Sequence, residues 1–494
     1  MKKKISMLLS LVMAISSVAC LSGCGGSAED KNTLVWYTIG DEPKANAEVL
    51  AEANKIIEPA IGKKLKIKYI PVASYAEQMK LKMASGEAYD LCFTGYVNPY
   101  QTAVEMGGLY DITDLITETG LDQVVEPYFL DSARVNGKVY GVPNTQVISN
   151  PNCFMIAKHI AEEAGVVEDF KKYEEYATND DTSMEDVKRK YAVIDKILEK
   201  VKSKFPDLYT IGESNRGIEG YKLLMSGIYF KKEADGSIKL YKNIDLEGYK
   251  YGVEKLREWY KKGYIRQDIA SAPPATTTEE KKKQAISETT WKPGQDVFYI
   301  SEYGYEPLYT LNDKPFVSRT SALATMVSVG ANTRYPKEAV QLIKMMNENV
   351  ELYNLICWGI EGKHYKKNED GTATVIKGSG YDDVAQNAWK YGNQFNGFVM
   401  EGQPADVYEQ TKKMNDEAVK SDLLGFVPDT SKIATEIANV ANVEAEFKAK
   451  RDMGTDDVDT WWDTYCKKLK DAGQDKILAE MQKQIDAFVA SKAE

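Results

Sequence analysis

The side chains able to do chemistry are short on nucleophile–base pairs and metal ligands and long on aromatic rings. His159 and His364 are the only histidines and lie far apart in the chain. There is no HExxH, no GxSxG and no glycine-rich phosphate loop of the Walker type. Cys20, Cys24, Cys92, Cys153, Cys357 and Cys466 include no CxxC pair, so neither a zinc nor a redox centre is expected, and no metal or cofactor is called for. Two carboxylates at a fixed separation would suit glycoside hydrolysis, but among 74 acidic residues such pairs arise by chance and none stands out. What the chain does offer is 31 tyrosines and 7 tryptophans interleaved with planar amides and carboxylates. That combination holds rather than cuts: a ring plate takes the C–H face of a sugar while amides and carboxylates take its hydroxyls. Candidate plates are Trp36, Tyr96, Trp291, Trp358, Tyr391 and Phe395; candidate polar partners are Asp41, Asn144, Gln146, Lys292, Asn393 and Gln394. Trp358, next to Ile356 and Cys357, reads better as core, as do Trp461 and Trp462. Only one of Trp36 and Tyr37, neighbours on a strand, is expected to look outward, and both histidines are expected at the surface.

These residues need a scaffold. "LVWYTIG" is a compact apolar run, residues 43–58 carry a helical stripe, and "KLKIKYI" alternates as a half-buried strand. Ser74 and Glu77 predict a capping box for a helix closing at Gly86, and "YDLCFTG" is another buried run. The order β-α-β-α-β predicts parallel strands in an α/β layer. Asn136-Gly137 predicts a hairpin, 246–262 a helix, 272–282 a loop, 322–331 a buried strand, and 336–348 a helix opening on Pro336. From about 430 the chain reads as helical. In an open parallel sheet ligands sit beyond the carboxyl ends of strands. Two such ends are polar and aromatic: Tyr37, Thr38, Gly40, Asp41 and Glu42, then Thr94, Gly95, Tyr96 and Asn98.

The N-terminus has its own logic. Lys2, Lys3 and Lys4 precede an uncharged apolar stretch, too short to span a bilayer, that ends in Leu21-Ser22-Gly23-Cys24. This resembles the bacterial lipobox, in which the leader is cut before an acylated cysteine, and it predicts lipid on Cys24. The formal charge is −11, and residues 1–23 carry three lysines and no acid, so the remainder is near −14. Acids and bases interleave without a basic patch, which argues against nucleic acid as a partner.

"YDLCFTGY", "NGKVYGVPN", "VGANTRYPKEAVQLIKMMNENVELYNLICWGIEGKHYKK", "GNQFN" and "EGQPADVYE" resemble family 1 extracellular solute-binding proteins of ABC importers. "LLGFVPDTSKIATEIANVANVEAEF" and "KKLKDAGQDKILAEMQKQIDAF" resemble the C-terminal segment of its LipO-like branch from Gram-positive bacteria. The likeness is weakest over about 170–290. It implies an α/β, two-lobed, periplasmic-binding-protein-like fold (type II) with a hinge. After the leader (1–23) and a lipid-anchored tether (24–33), lobe 1 would take 34–146 and about 322–392. Lobe 2 would take 147–321 and about 393–494. It also implies a monomer held at the outer face of the cell membrane, handing a carbohydrate to permease subunits. On this likeness the ligand-binding residues are Tyr37, Thr38, Asp41, Thr94, Tyr96, Gln146, Trp291, Lys292, Asn393, Gln394 and Phe395. A peptide or other small-solute binder on the same scaffold, or a secreted glycoside hydrolase, remains the alternative.

Overall fold

The computed structural model describes residues 32–492 apart from 180–182, 213–219, 226, 273–274, 276 and 383. The leader, Cys24 and all but the last two residues of the expected tether lie outside these. The first sheet takes the strand order Lys64–Ile70, Thr33–Ile39, Leu91–Gly95, Thr325–Val329, Gly141–Pro143. The first three run parallel, joined by helices Asn46–Ile61 and Val72–Ser85, as the β-α-β-α-β order predicts. Thr325–Val329 returns antiparallel to both of its neighbours and brings a distant part of the chain into the same layer. Helix Pro336–Glu348 starts with Pro336 in its first turn, where a missing N–H costs nothing.

Some local expectations are corrected. The helix closing at Gly86 starts at Val72, because Pro71 sets the entry; Ser74 lies inside its first turn and donates to the Pro71 carbonyl, so there is no capping box. Asn136 and Gly137 do take positive φ (52° and 80°), but only Val135 and Lys138 pair. Beyond them, Val139 is drawn to another segment, donating to Thr113 Oγ1 and accepting from Ile112 N–H, and the hairpin stops. Trp36 and Tyr37 are both buried, at 1% and 6% exposure, because both faces of their strand are covered. His364 is likewise buried, its Nδ1 accepting from Ile360 N–H at 2.9 Å, whereas His159 is exposed.

The second sheet, Pro307–Leu311, Asn152–Ala157, Gln284–Thr290 and Tyr209–Ile211, buries Phe154, Ile156 and Ile286 under helices Val167–Ala177 and Met184–Lys204. The C-terminal helices Ala434–Met453, Trp462–Asp471 and Gln474–Lys492 form a third core with the meander Lys222–Met225, Ile228–Lys232, Ile238–Lys242. Trp461 and Trp462 pack there, and Trp358 in the first core. Cys92, Cys153 and Cys357 are buried free thiols; Cys466, also free, is half-buried.

Candidate functional site

Three stretches of chain meet at one place and lock by hydrogen bonds across large sequence distances. Thr145 N–H donates to Gly392 C=O (3.0 Å), and Gln394 N–H donates to Thr145 C=O (2.8 Å). Asn144 N–H donates to Thr325 C=O (2.9 Å), and Gln146 Nε2 to Thr325 Oγ1 (2.6 Å). The Asn144 amide spans the rest, accepting from Gly392 N–H and donating to Trp389 C=O. Asn415 backs the same segment: its Oδ1 accepts from Ile148 N–H and Ser149 Oγ, and its Nδ2 donates to Gln146 C=O. Paired backbone of this kind keeps the crossing defined.

Aromatic groups flank this knot. Tyr96 is 60% exposed, with its ring 6.1 Å from that of Trp389; both pack edge-on against Phe93. Tyr96 is fixed because its N–H donates to Ala324 C=O, and Gly95 lies flat on that carbonyl at φ 138°. On the other side, Trp291 N–H donates to Pro151 C=O (2.9 Å), and Gln403 Nε2 donates to Gly294 C=O (3.0 Å). Asn144, which donates to the Trp389 carbonyl, and Pro151, whose carbonyl accepts from Trp291 N–H, are joined by one short irregular segment, at most about 25 Å long. Lys292 is half-buried over the Phe298 ring and, among the described residues, meets no carboxylate; desolvation lowers its pKa.

The residues singled out from sequence divide accordingly. Tyr96, Trp291, Lys292, Asn393, Gln394 and Phe395 lie half-buried or exposed around the knot, and Asp41 is exposed at the end of its strand. Phe395 packs on Tyr408 beneath Lys412. Tyr37, Thr38 and Thr94 do not join them: all three are buried within the first lobe. Tyr37 packs with Tyr89 and donates to Glu87, and Thr94 Oγ1 bonds Ser328 Oγ across the sheet at 2.7 Å. Gln146 is a strut of the knot, and Trp36 and Tyr391 pack edge to face inside. Nothing in the local sequence pattern singles out Trp389. Its signal was position alone, immediately ahead of Lys390-Tyr391-Gly392 at the mouth of a crossing.

Lys390 is the buried cation of this region. It is 6% exposed, donates to Ile39 C=O (2.8 Å), and lies 5.5 Å and 5.3 Å from the Tyr69 and Tyr391 rings. Burial pulls its pKa from 10.5 down to about 8. A base with a depressed folded pKa binds fewer protons folded than unfolded, so stability rises with pH between about 8 and 10.5. Lys390→Met should therefore gain most over the parent below pH 8. That advantage should shrink by about 1–3 kcal/mol on going to pH 10.5, as read from paired urea titrations.

Among the described residues no cluster of three metal-ligating side chains forms, and no helix is long and apolar enough to cross a membrane. The family described as bacterial extracellular solute-binding protein matches residues 54–355, and a domain of unknown function (DUF3502) matches 422–490. The chain belongs to the bacterial extracellular solute-binding proteins, a family of substrate-binding transport proteins rather than of enzymes. It is similar to a carbohydrate ABC transporter substrate-binding protein of Streptococcus pneumoniae, 27% identical over 98% of this chain and 97% of that one. Its fold is similar to the crystal structure of the N-glycan transport solute binding protein NgtS of S. pneumoniae. That match has a TM-score of 0.79 and 25% identity, covering 94% of this chain and 100% of the other. NgtS in complex with Man5GlcNAc matches with TM-score 0.72 and 25% identity, over 94% of this chain and 99% of that one. These neighbours are two-lobed, as is this molecule.

Proposed function

We propose that this protein captures an oligosaccharide between its two lobes and delivers it, unaltered, to the permease of an ABC importer. The observation that carries the reading is the half-exposed Tyr96–Trp389 pair beside crossing segments locked by backbone hydrogen bonds, with Trp291 N–H held at Pro151 on the continuation of one of them. A fixed plate on one body and a second on the other suits a ring that is gripped when the lobes turn together. The carbohydrate names carried by similar proteins point the same way. The lobes in this reading are 34–146 with about 322–392, and 147–321 with about 393–494. The ligand set is Asp41, Tyr96, Trp291, Lys292, Trp389, Asn393, Gln394 and Phe395, with Tyr37, Thr38, Thr94 and Gln146 supporting it from behind.

Calorimetry of residues 25–494 against oligosaccharides and peptides tests this. Binding of an oligosaccharide without turnover is expected, and Trp291→Ala should weaken it by about 1–3 kcal/mol. A protein that binds only peptides, or hydrolyses the sugar, sinks the proposal. The reading also places the protein as a monomer on the outer face of the membrane, held by lipid on Cys24. Cys24→Ala should leave it unprocessed or shed into the medium; an unmodified Met1 start in the native host would contradict the anchor.

A further inference from the structure

Helix Asp296–Tyr303 buries none of its residues, although Val297, Phe298, Tyr299, Ile300 and Tyr303 make up most of it. Ile300 is 46% exposed. Val297, Phe298, Tyr299 and Tyr303 are half-buried, so this face is only partly covered and its rings keep exposed edges in the free protein. Its rings continue into the next strand as one line. Tyr299 lies 5.8 Å from Tyr309 and is stacked on Tyr303 at 5.6 Å with planes 16° apart. Tyr303 lies 5.4 Å from Tyr305, and Tyr305 lies 5.9 Å from His159. At its inner end the line joins the candidate site: Tyr299 OH meets Thr289 Oγ1 at 3.2 Å, Gln295 Nε2 donates to Thr290 C=O, and Trp291 follows.

Resting on the carbohydrate reading above, we infer that these tyrosines form a second binding track, which takes the outer sugar units of a neutral, extended or branched oligosaccharide whose inner end sits at Trp291 and Tyr96. The chemistry of the line selects that occupant. Tyrosine offers a flat apolar ring with a hydroxyl at its tip, which suits a sugar's C–H face and hydroxyl rim better than an aliphatic protein surface. At the outer end of the line the charges are matched, Lys281 with Glu302 at 2.7 Å and Lys158 with Glu306 at 2.9 Å, and at its inner end Lys292 and Asp296 carry opposite charges, so no single sign dominates to favour an ionic ligand. The line is continuous with the hinge site and points away from it, so its use depends on ligand length.

Two glycans of different length separate the outcomes: Man1GlcNAc and Man5GlcNAc, titrated calorimetrically into residues 25–494 of the parent, Tyr96→Ala, and the double variant Tyr303→Ala/Tyr305→Ala. Thermal unfolding of each variant checks that it is folded. The track predicts that the double variant loses about ten-fold in affinity for Man5GlcNAc while Man1GlcNAc stays within about two-fold, and that Tyr96→Ala weakens both. Tyr303→Phe/Tyr305→Phe should keep most of the Man5GlcNAc affinity, because stacking survives loss of the hydroxyls. Equal loss for both glycans, or no loss for either, overturns the track and leaves the capture reading standing. A parent that binds neither glycan, nor any member of a neutral oligosaccharide array, overturns both.

Discussion

Gly95→Val should destabilise the first lobe by about 4 kcal/mol or more, enough to show as loss of folded protein on expression or as a lobe-1 melting transition displaced by many degrees. Two costs add. Gly95 has φ 138°, a backbone conformation that L side chains rarely adopt. A Cβ there would also lie 2.1 Å from the Ala324 carbonyl oxygen and 2.7 Å from its carbon. That carbonyl cannot yield, because it accepts from Tyr96 N–H, and the next residue, Thr325, is tied to Asn144 and Gln146. Relief at Gly95 therefore has to break the knot between the crossing segments. Gly371→Ala is the matching control. At φ 86° it carries backbone strain but nothing lies within 4 Å of its Cβ position, so about 1 kcal/mol is expected. A Gly95→Val protein melting within about 1 kcal/mol of the control would show that the two segments are not pressed together as described.

The same pair of segments shows where reading the sequence succeeds and where it stops. The alternation of Leu65, Ile67 and Tyr69 with lysines, and the apolar runs at 34–39 and 91–95, locate three strands, because a strand's period is written in its own residues. Which face of a strand is covered is not written there. Trp36 and Tyr37 point to opposite faces, yet both are buried, since helices cover one side and Tyr391 packs on the other. Tyr37, Thr38 and Thr94 looked like strand-end ligand groups for that reason and are instead sheet and core residues. The crossings themselves have no period at all. Asn144 with Gly392, Gln146 with Thr325, and Asn415 with Ile148 are single polar contacts between residues far apart in sequence, each set by the tertiary fold alone. His364 is expected at the surface, but its ring nitrogen is needed by Ile360 N–H and it is drawn inside. The third core was legible only in half. Amphipathic helices were evident from 430 onward, but the meander at 222–242 that they pack on lies two hundred residues earlier.

Removing both plates of the first lobe, Tyr96→Ala with Trp389→Ala, should weaken oligosaccharide binding by about 2–4 kcal/mol, or roughly 30- to 1000-fold in dissociation constant, without loss of fold. The fold should survive because Tyr96 is 60% exposed and Trp389 is half-buried, so neither ring fills a cavity whose loss the core would feel. Binding should suffer more than the lost area alone would suggest. The rings lean on each other at 6.1 Å and share Phe93 as a backstop, so taking away one lets the other turn from its bound orientation. The two single variants should then each cost nearly as much as the pair, a coupling that a double-mutant cycle measures directly. Tyr391→Ala supplies the opposite pattern. That ring is fully buried against Trp36, so its loss should lower the melting temperature first and affinity only as a consequence. If Tyr96→Ala and Trp389→Ala each leave affinity within about two-fold of the parent, the sugar is not held on this face of the first lobe. Strict additivity of two large effects would keep the plates and remove their mutual support.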